Sequence, residues 1–225
     1  MKMNPRILVV HPPYQDPAIG EAHGARPHAE PAAVLYRGIT FYCDLAPEDV
    51  VRDIREGDRL VRETLGIVPR GFRAPHFGCY QKPEQLAVLY NTARELGYAF
   101  CSTTVPACGL SHGGAFRTDQ GLWELPVSGS LADPLLPLDS WNYLANHEDP
   151  TLPHYVLKPA YARAFLETAD FFLDRDLPAV LNVYVDPAHV VAAAPFRQAL
   201  DGLLARGVEA VDLAELAKRA AGLAG

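Results

Sequence analysis

An α/β fold is predicted by three features of the sequence. From about residue 47 onward, short apolar runs alternate with segments of helical period, the pattern left by repeated β-α units around a mostly parallel sheet. The apolar runs are rich in β-branched and aromatic residues, as in Ala179-Val-Leu-Asn-Val-Tyr-Val185, which suits strands. The chain has 225 residues, 49% of them hydrophobic, enough for one large core of the size that α/β barrels reach undivided. Residues 1–225 are therefore read as a single domain.

Taken in order, the first strand candidates are Ile7-Leu-Val-Val10 and a run near Ile39-Thr-Phe-Tyr42. The clearest helix follows Ala46. Pro47 suits a first helical position, Glu48 and Asp49 suit the positive end of the dipole, and Val50, Val51, Ile54, Leu60, Val61 and Leu65 recur at helical spacing as far as Gly66. A second helix is expected from Pro83 to Leu96, stopped by Gly97. Others are expected from about Lys158 to Leu173, Phe196 to Ala205 and Leu213 to Leu223. Between them lie strand candidates at Tyr98–Cys101, Leu122–Val127, Ala179–Val185 and Val208–Val211. Residues 11 to 34 and 105 to 157 break the alternation with many turn formers. Loops of that length in a compact domain are usually functional.

Charge and composition exclude several classes. With 27 acidic against 20 basic side chains the net charge is −7, and no Lys/Arg block occurs, so no nucleic-acid partner is expected. No run of roughly 18 apolar residues is present, and the hydrophobic stretch after Met1-Lys2-Met3-Asn4-Pro5-Arg6 is too short for a signal-peptide core. These readings imply no membrane partner and a soluble, cytoplasmic protein. The four cysteines, Cys43, Cys79, Cys101 and Cys108, form no C-x-x-C pair and are expected to be reduced packing residues.

The most distinctive run is Gly66-Ile-Val-Pro-Arg-Gly-Phe-Arg-Ala-Pro-His-Phe-Gly78, which puts Arg73, Pro75 and His76 where a short strand gives way to a loop. An arginine buried at such a point can hold a carboxylate by two parallel hydrogen bonds and so orient a base. The same run also suits a rigid turn with its arginine in a structural ion pair.

On this run, on the helix from Asp44 to Leu65, on "ELGY" before "AFCSTT", and on "LWELPVS", "LDSW" and "VLNVYVDP", the chain resembles the polysaccharide deacetylase family over roughly residues 20 to 190. The resemblance implies a distorted or incomplete (β/α) barrel. It also implies a hydrolase that removes the acyl group from an N-acylated sugar or cleaves a related non-peptide C–N amide bond, with a divalent metal, foremost zinc. Such chemistry needs a metal to polarise the carbonyl and activate water, a base, and an acid for the leaving amine. The family's histidine pair has its counterpart in His23-Gly-Ala-Arg-Pro-His28, one residue longer, with Asp16 as the nearest third ligand. Both histidines also read as solvated loop residues.

The family's Thr-Phe-Asp-Asp signature is absent here, so the base is unassigned, with Asp16 and Asp44 as candidates. Where the family's acid histidine stands, Leu181-Asn-Val-Tyr-Val-Asp-Pro187 has Asp186. A carboxyl there would need its pKa raised to act as the acid; His189 is the substitute, though a loop histidine of this kind is more often exposed. The resemblance further implies that Pro75, His76 and Trp141 contact the substrate, while Trp123 and Glu124 read as strand residues with the indole in the core. Two other readings stand beside the hydrolase. One is a degenerate, non-catalytic relative that binds carbohydrate or protein. The other is a metal-free carboxylate enzyme using Glu124 and Asp186. A shortened barrel would expose apolar surface, which suggests a homodimer as the way to cover it.

Overall fold

The computed structural model describes the backbone of residues 6–11 and, beyond it, residues 41–75, 77–149, 151–152 and 154–223. The chain is mixed α/β. Strand β1 (Arg6–His11) lies between β6 (Ala179–Tyr184) and β7 (Glu209–Val211) in a wholly parallel three-stranded sheet, with Ile7 opposite Val180 and Glu209. A second sheet sets β2 (Gly71–Arg73), β3 (Phe100–Ser102) and β5 (Trp123–Glu124) parallel, and β4 (Phe116–Arg117) runs antiparallel at its edge.

The two sheets meet beyond β5. The Ser128 N–H donates to the Asn182 carbonyl of β6 at 2.7 Å, and the Asn182 N–H donates back to Ser128 Oγ at 3.0 Å. Further along, Asp139 bridges Tyr184 in parallel. Among the described residues the strands form these two joined sheets and no closed barrel.

Helix α1 (Pro47–Leu65) begins and ends on the predicted residues. Proline occupies its first turn, and Gly66 closes it in the left-handed region at φ 66° with its N–H on the Arg62 carbonyl at 3.0 Å, a backbone shape glycine adopts without strain. Helix α2 (Pro83–Glu95) starts with the Gln85 side chain accepting from the Lys82 N–H at 3.0 Å. Helices α4 (Ala160–Leu173), α6 (Ala194–Ala205) and α7 (Leu213–Leu223) also lie where helical spacing predicts them. Short α3 (Pro106–His112) and α5 (Pro187–Val190) complete the α-helices among the described residues.

Helix α4 packs on α6, and the largest core cluster joins Tyr161 and Phe165 of α4 to Leu203 of α6, Val183 of β6 and Leu138, Leu144 and Leu157 of the long connection. A second cluster sets Phe100, Trp123 and Leu125 against Leu213 and Leu216 of α7, which puts the indole in the core as expected.

Two local expectations are corrected. The described part of the run near Ile39-Thr-Phe-Tyr42 forms no strand: Tyr42–Asp44 is a 3-10 turn. Tyr42 is buried by helix contacts instead of a ladder, its hydroxyl donating to Asp53 Oδ2 of α1 at 2.7 Å and its ring lying edge-on to Tyr80 at 5.9 Å. The stretch 105–157, read as mostly loop around the strand expected at Leu122–Val127, also contains α3, β4 and 3-10 turns at Trp141–Tyr143 and Ala145–His147.

Candidate functional site

The carboxyl end of β6, where parallel α/β folds place their ligands, collects most of the described candidate residues. Arg73, the last residue of β2, reaches across to β6: its Nη2 donates to Asn182 Oδ1 at 2.7 Å and its Nη1 to the Val183 carbonyl at 3.4 Å. The guanidinium lies over the Phe77 ring at 5.5 Å, and Phe77 meets Tyr184 edge-on at 5.7 Å. Some of Arg73 remains at the surface, but its Nε is sealed from solvent and has no hydrogen-bond partner among the described residues. No described carboxylate forms an ion pair with it. Burial depresses its pKa to about 10, opposed by the fields of Tyr184 and Glu124. A guanidinium held this way keeps a donor and most of its charge for an anion.

Asn182 escaped the sequence reading and is the centre of this arrangement. It is fully buried. While Oδ1 takes Arg73, its Nδ2 lies 3.0 Å from Ser102 Oγ, 2.7 Å from the Leu125 carbonyl and 3.0 Å from that of Pro126. The available signal was an amide in the middle of an apolar strand, which must find partners wherever it is buried.

Beyond β6 the chain turns through Asp186 into α5. Asp186 caps that short helix, its Oδ1 accepting from the Ala188 N–H at 3.3 Å. His189, expected on an exposed loop, is instead buried, at 4% exposure, because α5 folds it back under Trp141 (ring centroids 5.7 Å apart) and Tyr155 (4.5 Å). Its Nδ1 is 3.0 Å from Ser140 Oγ, and its Nε2 is 3.9 Å from Asp186 Oδ2. Ser140 Oγ also accepts the Asp186 N–H at 2.9 Å. The serine hydroxyl can donate to Nδ1 or accept from it, and donation places the ring proton on Nε2.

Asp139 precedes that serine. Its Oδ1 accepts the Asn142 N–H at 2.8 Å, and burial raises its carboxyl to about 6. The hydroxyl on His189 Nδ1 is that of the serine between Asp139 and Trp141. Trp141 is half-buried at this rim, and Pro75 lies two residues beyond Arg73.

Asp16, His23, His28 and His76 lie outside the described residues. Among the described residues no three His, Cys, Asp or Glu side chains come together to hold a metal ion, and no helix is long and apolar enough to cross a membrane. Asp44 is exposed and forms no pair with Arg73. Glu124 is fully buried with both oxygens engaged. Oε1 accepts from the Thr103 and Thr104 N–H groups (2.8 and 2.9 Å) and the Thr104 hydroxyl (2.8 Å), and Oε2 accepts from the Thr103 hydroxyl (3.0 Å). A carboxylate so caged is structural and does not present itself as a glycosidase acid or nucleophile. Comparison with family models, curated proteins and solved structures finds no match to this chain.

Proposed function

We propose that the chain is a hydrolase of non-peptide C–N bonds related to the polysaccharide deacetylases, built on an incomplete β/α barrel and removing the acyl group from an N-acylated sugar. The observation that carries this reading is Arg73. A guanidinium that pairs with no carboxylate among the described residues, at the carboxyl end of parallel strands and hydrogen-bonded to the strand that leads to the buried Ser140–His189 pair, is costly to fold and is repaid by holding a catalytic or substrate anion.

His189 acts as the acid: with Ser140 at Nδ1, its Nε2 proton is the one available to a leaving amine, and the Asp186 carboxylate steadies the imidazolium before it discharges. Trp141, with Pro75 and His76, lines the acyl and sugar side. Asp16, His23 and His28 would hold a divalent metal, since two imidazoles and a carboxylate form a donor set that zinc accepts. When bound, zinc would polarise the carbonyl and lower the pKa of a water.

Zinc-supplied protein is incubated with N-acetylated glucosamine oligomers, and acetate release is measured. Turnover is expected for the wild type, with kcat lowered roughly 100-fold or more in His189→Gln, the scale of a lost general acid, and a comparable loss in Arg73→Gln. Folded, zinc-supplied protein that releases no acyl group from any N-acylated sugar, yet binds them, would replace this reading with the non-catalytic carbohydrate-binding module.

A further inference from the structure

Cys43 and Cys79 stand apart from the site and 36 positions from each other, yet the Cys43 N–H donates to Cys79 Sγ at 3.2 Å. Cys43 is exposed in the 3-10 turn ahead of α1, and Cys79 is half-buried in the loop between β2 and α2. That loop is fixed by its neighbours. Tyr80 is held at φ 59° with its ring against Tyr42, and Gln81 Nε2 donates to the carbonyls of Cys79 (3.1 Å) and Thr103 (2.8 Å). Packing thus sets one cysteine's sulfur against the other's backbone N–H, and a disulfide needs two cysteines brought close in this way.

We propose that Cys43 and Cys79 form a reversible oxidation site that a peroxide converts to a disulfide. The exposed Cys43 sulfur attacks hydrogen peroxide, its O–O bond breaks, and a sulfenic acid and one water result. Cys79 Sγ then attacks the Cys43 sulfur, the S–S bond forms, and the sulfenic oxygen leaves as a second water with the thiol proton. Two thiols lose two electrons and two protons, and the peroxide takes up both. Burial, and then a side-chain hydrogen bond with Cys43, push the Cys79 thiol up to about 11 against the opposing Cys43 N–H, which disfavours Cys79 as the first thiol to meet the peroxide. The product ties the turn before α1 to the loop that leaves β2 just after Arg73 and Pro75, so oxidation fastens the segment carrying the arginine. Cys101 is buried and Cys108 lies on α3, so neither competes for this pairing.

The test treats reduced full-length protein with hydrogen peroxide, counts free thiols after denaturation, and maps peptides without reduction. The count is expected to fall from the four of the sequence to two, with the Cys43 peptide joined to the Cys79 peptide and dithiothreitol restoring both. Cys79→Ser is expected to stop at a Cys43 sulfenic acid that dimedone traps, and Cys43→Ser to keep Cys79 reduced. Survival of all four thiols with no trapped sulfenic acid, or a linkage through Cys101, Cys108 or a second chain, would overturn the proposal.

Discussion

Burial holds the Asp139 carboxyl at about 6, against hydrogen bonds from the Asn142 and Trp141 backbones that favour its charged form. The native state therefore keeps a proton that the unfolded chain releases near pH 4. Because the folded pKa is the raised one, this group's contribution to stability is complete below the unfolded value and is lost as pH rises through about 6. A rise of about two pKa units corresponds to roughly 3 kcal/mol. Asp139→Asn removes that dependence: between pH 4 and pH 7 the urea midpoint of the wild type should fall relative to the variant, and parallel curves would show that Asp139 is not protonated in the fold. Ser140 tests the neighbouring idea. Ser140→Ala removes the partner of His189 Nδ1, so it should shift the alkaline limb of the kcat profile, where the acid loses its proton, and lower kcat, leaving KM for an N-acylated sugar nearly unchanged. A change confined to KM would make Ser140 a packing residue only.

At the scale of elements, the helices were legible because their signals are local: Pro47 with Gly66 for α1, Pro83 with Gly97 for α2, and unbroken apolar spacing for α7. Strands β1, β3, β5, β6 and β7 were placed, but with other ends than those expected. Leu122–Val127 shrinks to Trp123–Glu124 because the chain then turns to hand Ser128 to β6, a choice made by tertiary partners and invisible to periodicity. The same limit applied to the site. Arg73 and Trp141 stood out by motif, while Asn182 and Ser140 gain meaning only from what they touch, and the burial of His189 depends on α5 folding back. Gly71 shows how tightly β2 is seated: a Cβ there would lie 2.2 Å from Cε2 of the Phe100 ring, and that ring is buried against Trp123 and Leu213. Gly71→Ala is therefore expected to cost about 1–3 kcal/mol, the range for overpacking a core. A urea midpoint within error of the wild type would mean that β2 and β3 can slide apart cheaply.

For the whole molecule, the question is whether the two sheets are one cooperative unit, as the single-domain reading requires. Asn182 is where they are fastened, since its side chain joins β6 to Arg73 of β2, Ser102 of β3 and the carbonyls that follow β5. Truncating it strands a buried guanidinium donor and the Pro126 carbonyl, while the Leu125 carbonyl keeps the Ser102 hydroxyl, so Asn182→Ala should cost about 2–4 kcal/mol, the scale of buried groups left unpaired. Asn182→Asp is expected to be no better despite the opposite charge beside Arg73, because an acceptor-only carboxylate would face the Leu125 and Pro126 carbonyls. The chain's two tryptophans sit on either side of this junction, Trp123 in the sheet of β2 to β5 and Trp141 beside β6. Urea unfolding of Trp123→Phe and of Trp141→Phe, each followed by its remaining indole and by circular dichroism, should give transitions that coincide between the two probes within each protein. Adding Asn182→Ala should move both probes down together. If the indole and dichroism curves separate in either parent, the sheets unfold independently; if they separate only once Asn182 is removed, this one amide is what couples them.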